Sequence, residues 1–168
     1  MVYISCLLAL GLCCLFDPIY NNYTSLLNSS YSLLYFIWIF ILDISIVKTI
    51  IKYSINKKEK IYIYFLGLLF IIGSYLPYYS TFYLFSFLHV TLAMLAIVFF
   101  ILYIFYIILN FHKKEPLQAQ SLYQWYFWGL SVIALFIIFF GHINGIIEIT
   151  TLFFIFFMLK KLKIIDYS

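Results

Sequence analysis

The sequence predicts an all-α fold, a polytopic membrane helix bundle. It is read as one integral membrane domain over residues 1–168, with six transmembrane helices and cytoplasmic N- and C-termini. Three observations lead there. Of the 168 residues, 67% are apolar and 10% charged, against roughly 25% charged in a soluble domain, and an exterior facing water does not accommodate that balance. The apolar residues fall in runs of about 14 to 28, around the ~20 that cross a bilayer. They lack the alternation of a barrel strand, so the helix remains as the spanning element that satisfies its own backbone. Finally, all ten lysines sit in alternate connections.

The first run, Val2 to Phe16, lacks a basic n-region and has a weak small-x-small pattern, so it reads as a short retained span rather than a leader. Its expected extent is 2–16, stretching to 20 through Pro18-Ile19-Tyr20, with Asp17-Pro18 ending the helix. Asn21 to Ser32 reads as a polar loop rich in turn formers. It contains two formal glycosylation sequons, at Asn22 and Asn28. The second span is expected over 33–51, followed by a basic loop from Lys48 to Lys60, and the third over 61–76, stopped by Pro77. A PYYST turn leads to the fourth, 82–109, long enough to tilt. FHKKEPLQAQ forms the next loop, with Pro116 blocking helix continuation. The fifth span covers 122–140, a tight GHING turn follows, and the sixth covers 146–159 before the tail KKLKIIDYS.

Lysine placement orients the chain. Lys48, Lys52, Lys57, Lys58 and Lys60 flank the second connection, Lys113 and Lys114 the fourth, and Lys160, Lys161 and Lys163 follow the last span. Two crossings separate each group from the next, and the three opposite connections hold no lysine. The positive-inside rule puts the lysine side in the cytoplasm, or in the matrix for an organellar gene. Arginine is absent, which removes the bidentate clamp for carboxylate or phosphate. The net charge of +4 sits beside the spans, so the partner it implies is the lipid bilayer and not nucleic acid. The wealth of Phe, Tyr, Ile, Asn and Lys points to an AT-rich coding genome, and hence to a bacterial cell membrane or an organelle inner membrane. Tyr20, Tyr23, Tyr31, Tyr75, Tyr78, Tyr79 and Tyr83 are expected as anchors at the outer interface, and Tyr123, Trp125, Tyr126 and Trp128 at the inner one.

Ionisable residues within spans are costly and therefore mark candidate sites. Asp43 lies in the inner half of the second span; it serves a cation, a proton or a partner subunit, or is a neutral acid bonded to a neighbouring helix. His89 near the outer end of the fourth span and His142 in the outer turn are candidates to hold haem, a metal or a quinone, or to form interfacial hydrogen bonds. Glu148 opens the sixth span, where the helix dipole favours a carboxylate. Ser5, Ala9 and Cys13 recur every fourth residue and form a small-residue packing face. The cysteines Cys6, Cys13 and Cys14 have no zinc spacing and read as small buried hydrophobes.

The stretch FLHVTLAMLAIVFF around His89 resembles the His-bearing helices of membrane haem-handling proteins, without an accompanying tryptophan-rich haem motif. The order of six spans with inside termini and a long first outer loop resembles the substrate-binding subunits of vitamin-uptake transporters. That likeness implies docking of a partner through the small residues of the first span. This chain is poorer in Gly, Ala and polar lining than such subunits. No Walker A loop, H-E-x-x-H, G-x-S-x-G or acidic cluster occurs. The expected function is accordingly a non-catalytic membrane subunit of a larger assembly with other membrane subunits. The alternatives are a small-solute transporter or its substrate-binding subunit, and a haem- or quinone-binding anchor.

Overall fold

The computed structural model describes residues 2–76 and 83–166, and no strand occurs among them. Six helices follow in order: α1 (Val2–Cys13), α2 (Ser32–Ile50), α3 (Lys57–Tyr75), α4 (Tyr83–His112), α5 (Pro116–Phe140) and α6 (Gly145–Asp166). Two 3₁₀ turns, Tyr23–Asn28 and Ile51–Tyr53, flank α2. Pro77, the PYYST turn and the expected anchors Tyr78 and Tyr79 lie outside the described residues.

Three segments are long and apolar enough to cross a bilayer: Ser32–Tyr53, Tyr83–His112 and Pro116–Phe140. At ~1.5 Å per residue the 30-residue α4 measures about 45 Å, more than a ~30 Å hydrocarbon layer requires. The other three are shorter in apolar length. The 12 residues of α1 reach about 18 Å. Charges within the ends of α3 (Lys57, Lys58, Glu59, Lys60) and α6 (Glu148, Lys160, Lys161) leave each a reduced apolar stretch.

Several boundaries differ from those read in the sequence, for local reasons. Helix α1 ends at Cys13, ahead of Asp17-Pro18; the Asp17 carboxylate instead accepts the Ile19 N–H at 3.0 Å and turns the chain there. The basic segment between α2 and α3 is mostly helical. Asn56 caps α3 by accepting the Glu59 N–H, and Glu59 reaches back to the Asn56 amide and the Ile55 N–H. This reciprocal box starts the helix four residues before its apolar run at Ile61. Pro116 stops α4 but also opens α5, six residues before the expected start. Proline is preorganised for a first helical turn, where no N–H is needed. The tail after Leu159 continues α6 to Asp166.

Consecutive helices pack on one another, the α3–α4 pair most extensively, and α6 returns to touch α1, α2, α4 and α5. Of the three long segments α2 is the most buried and α5 the least, so α2 forms the inner wall and α5 the periphery. The described contacts sort the connections into two ends. At one end Tyr103 and Tyr106 of α4 donate to the Glu59 carboxylate, and Lys161 lies 5.3 Å from the Trp125 ring centroid, a cation–π geometry. The lysines flanking α3, those before α5 and those late in α6 therefore share that end. At the other end the Gly145 N–H donates to the Asn21 carbonyl at 2.8 Å and the Ile146 N–H to that of Pro18.

Two expected interface anchors are instead core. Tyr23 is buried, and Tyr126 is buried with its hydroxyl donating to the Ile101 carbonyl. A tyrosine whose O–H finds a backbone acceptor loses its reason to sit at the interface. Tyr20, Tyr83, Trp125 and Trp128 are exposed.

Candidate functional site

The segment between α1 and α2 folds inward. Tyr23 opens its 3₁₀ turn and enters the bundle with Leu26, each 2% exposed. The Tyr23 ring lies against Trp38 at 4.6 Å between centroids and meets Phe16 edge-on at 5.1 Å. Its hydroxyl donates to the Ala9 carbonyl at 2.7 Å. Burial raises the Tyr23 phenol well above its ordinary value, and Cys13 and Glu148 nearby act in the same direction, so it remains a donor. Trp38 donates its indole N–H to the Ser5 carbonyl at 3.1 Å. The small-residue face of α1 is thus occupied within the chain: Ser5 and Ala9 are buried against this aromatic pair, and Cys13 is half-buried.

The start of α6 holds the same segment from the other side. Asn144 is fully buried; its side-chain oxygen accepts the Ile147 N–H and its amide donates to the Ile19 carbonyl at 2.9 Å. One turn on, the Glu148 carboxylate accepts the Tyr23 N–H at 2.7 Å. Asn144→Ala removes both the cap and the tie to Ile19 and is expected to destabilise the chain by about 1–2 kcal/mol. Comparing the unfolding of the two proteins in detergent checks this, and equal stability would contradict the double role of Asn144.

Beneath this roof lies a cavity of about 290 Å³, walled by α2 to α6. Its lining is mostly aliphatic and aromatic, with polar points at Tyr35, Ser74, His89, Glu148 and Thr151. Outside the same roof a polar notch is lined by Tyr20, Asn21, Ser25 and Asn28. Asn22, Thr24 and Ile143 border both spaces, so the roof is about one residue thick. His89 is 4% exposed and its ring faces the backbone of Gly73 on α3 and of Leu76 just after it.

The structure brings two of the four candidate residues, His89 and Glu148, to this cavity and leaves two away from it. His142 is exposed in the turn after α5, its Nδ1 2.9 Å from the Phe140 carbonyl oxygen. It does not line the cavity with His89, which separates the two imidazoles expected to share a haem, metal or quinone. Asp43 is buried elsewhere, between α2 and α3. A Cβ on Gly67 would stand 3.0 Å from Asp43 Oδ1 and 2.7 Å from Val47, so the carboxyl lies on the bare backbone of α3. Asp43 Oδ1 has no hydrogen-bond partner among the described residues. No group of three or more His, Cys, Asp or Glu is gathered to hold a metal among the described residues.

Tyr23, Trp38 and Asn144 escaped sequence reasoning. For Asn144 a signal was available: an Asn in a glycine-flanked turn directly before an apolar run, with Glu148 four residues on, marks a helix start. Nothing in the sequence distinguishes Tyr23 from the many other tyrosines.

Among the described residues these features define an apolar helical bundle with membrane-length helices and a cavity roofed by the segment between α1 and α2. No protein-family model, curated protein or solved structure matches this chain, so the chemistry of that cavity carries the functional reading.

Proposed function

We propose that this chain is a six-span, non-catalytic membrane subunit that binds a small, largely apolar solute beneath its first outer loop, as a transporter or the substrate-binding subunit of one. The observation that carries this is the roofed cavity of about 290 Å³ between five helices, with His89 and Glu148 on its wall. Small-molecule sites are concave and mostly apolar, with few polar points, and begin near ~300 Å³. A purely structural subunit has no need of such a space, because unfilled volume costs packing energy. The haem or quinone anchor is less well supported, since His142 lies outside the cavity.

The test is to purify the chain from its native membrane and identify by mass spectrometry what small molecule comes with it. Ile97 lines the cavity and is half-buried. An Ile97→Trp variant should lose the molecule while keeping its fold. A wild-type chain that carries nothing, or an unchanged load on the variant, would sink the binding reading.

The proposed topology rests on the ten lysines, whose asymmetry keeps their loops on the inner face during insertion. With the native cysteines replaced, a cysteine at Ser29 should react with an impermeant reagent from outside. Cysteines at Lys58, Lys114 and Lys161 should react only after permeabilisation. Outside reactivity at Lys58 would reverse the orientation.

A further inference from the structure

We infer that the ligand of this cavity is a small amphiphile with a cationic head and an apolar body, its head paired with Glu148 and its entry sideways from the lipid between α4 and α5. The inference rests on the binding reading above and names the ligand class for it.

The charge argument comes first. Among the described residues Glu148 is the one acidic residue on the cavity lining, and none of the described lysines lines it. The lysines gather at the opposite end of the bundle, beyond reach of this carboxylate. Burial favours the neutral acid, and two features oppose it: a 2.7 Å bond from the Tyr23 N–H, and the place of Glu148 in the first turn of α6. A carboxylate facing an apolar chamber takes up a proton unless a counter-charge holds it ionised. The other imidazole-bearing wall does not supply one, because His89 is turned to the backbone of Leu76 and Gly73. A cationic head on the ligand completes the pair, whereas an anionic head would add a second uncompensated charge beside the first.

Shape gives the rest. The volume of about 290 Å³ holds about ten non-hydrogen atoms at ~30 Å³ for a water-sized group. The walls are closed where α2 and α6 contribute buried residues such as Trp38, Leu42 and Ile155. Along α4 and α5 they are closed at His89, Phe100 and Ile133 and open at other positions. Val90, Met94, Val98 and Ile137 line the cavity and are each at least 36% exposed. The ring contacts that join α4 to α5 lie further along, at Phe105 with Tyr123, Tyr126 and Phe127, toward the lysine end. The gap therefore faces the surroundings of the bundle at the level of apolar side chains, which in a membrane is lipid, while the roof at Tyr23 separates the chamber from the outer aqueous side.

The experiment uses the full chain in nanodiscs and three phenylalkyl probes of similar size: phenethylammonium, 3-phenylpropanol and 3-phenylpropionate. Binding is read by calorimetry, with the Ile97→Trp variant as the control for partition into lipid. The cation should bind about tenfold or more tightly than the alcohol, the size expected of one desolvated charge pair, and the carboxylate should bind most weakly. Glu148→Gln should abolish the preference for the cation and leave the alcohol unaffected. If that variant fails to fold, the ranking of the three probes on the wild-type chain decides. Equal or tighter binding of the alcohol or the carboxylate overturns the cationic ligand while leaving the binding reading intact. No specific binding of any probe, or binding that Ile97→Trp does not reduce, counts against both. Bulky residues at Val98 and Ile137 should slow association without changing the order of the probes, and unchanged association rates would overturn lateral entry.

Discussion

Gly73→Ala is expected to destabilise the chain by about 3 kcal/mol or more, near or beyond the upper end of overpacking effects. A Cβ at this position would stand 2.6 Å from the Ala93 nitrogen and 3.1 Å from the Ala93 Cα and the Leu92 carbonyl carbon. These are backbone atoms of α4, so no rotamer change relieves the clash and the two helices must part. They form the most extensive helix pair in the bundle. Their closeness also holds His89 against the backbone of Gly73 and Leu76, so the wall of the cavity should loosen with them. Gly11→Ala is the control. An added Cβ there meets nothing within 4 Å, and alanine is the better helix former by about 1 kcal/mol, so this variant should be neutral or slightly more stable. Equilibrium unfolding of both in mixed micelles makes the comparison. Equal stability of the two variants would show that α3 and α4 do not approach as described.

Tyr23→Ala is expected to release the roof of the cavity, at a cost of about 3–5 kcal/mol for a truncated buried aromatic. The loss includes the contacts with Trp38 and Phe16 and the bond to the Ala9 carbonyl. Leu26 and the bond from the backbone N–H at position 23 to Glu148 remain, so much of that cost should appear as local opening rather than global unfolding. The readout is a cysteine at Ser74, buried on the cavity wall. It should react with an impermeant outside reagent in the Tyr23→Ala background and resist it otherwise. Tyr23→Phe keeps the ring and removes only the hydroxyl's hydrogen bond, so it should cost about 1 kcal/mol and leave the cysteine protected. Protection in both backgrounds would mean that Tyr23 is not what closes the chamber.

The candidate residues show how far sequence reasoning reached. Asp43 was conspicuous as an acid within an apolar run, but its neighbour is the backbone at Gly67 on another helix, which spacing along α2 does not reveal. His89 and His142 looked alike as outer histidines; one lines the cavity and the other lies in an exposed turn. Locally, Glu148 reads as a binding candidate whose place the helix dipole explains. Its bond to the Tyr23 N–H joins positions 125 residues apart, a separation that no local pattern encodes. The small-residue face of α1 was legible, whereas its partner was not: Trp38 and Tyr23 fill it from within the chain.

By itself the sequence determined that the chain is helical and which connections carry the lysines; it reads six apolar runs as spans, of which three form helices of membrane length. Run length and charge are local properties, and the backbone's need to satisfy itself in an apolar medium turns them directly into helices. Only the tertiary structure decided which face of each helix points inward, where the cavity lies and what roofs it. Exposed residues such as Leu135, Ile138 and Phe139 are as apolar as buried ones such as Ile104 and Ile108. In lipid the two faces of a helix therefore carry little contrast in polarity, and hydropathy cannot distinguish them. Instead, the inward faces follow from fit: a glycine at Gly73 that admits a neighbouring backbone, an asparagine at 144 with both ends bonded, and a tyrosine at 23 whose hydroxyl meets a carbonyl across the bundle.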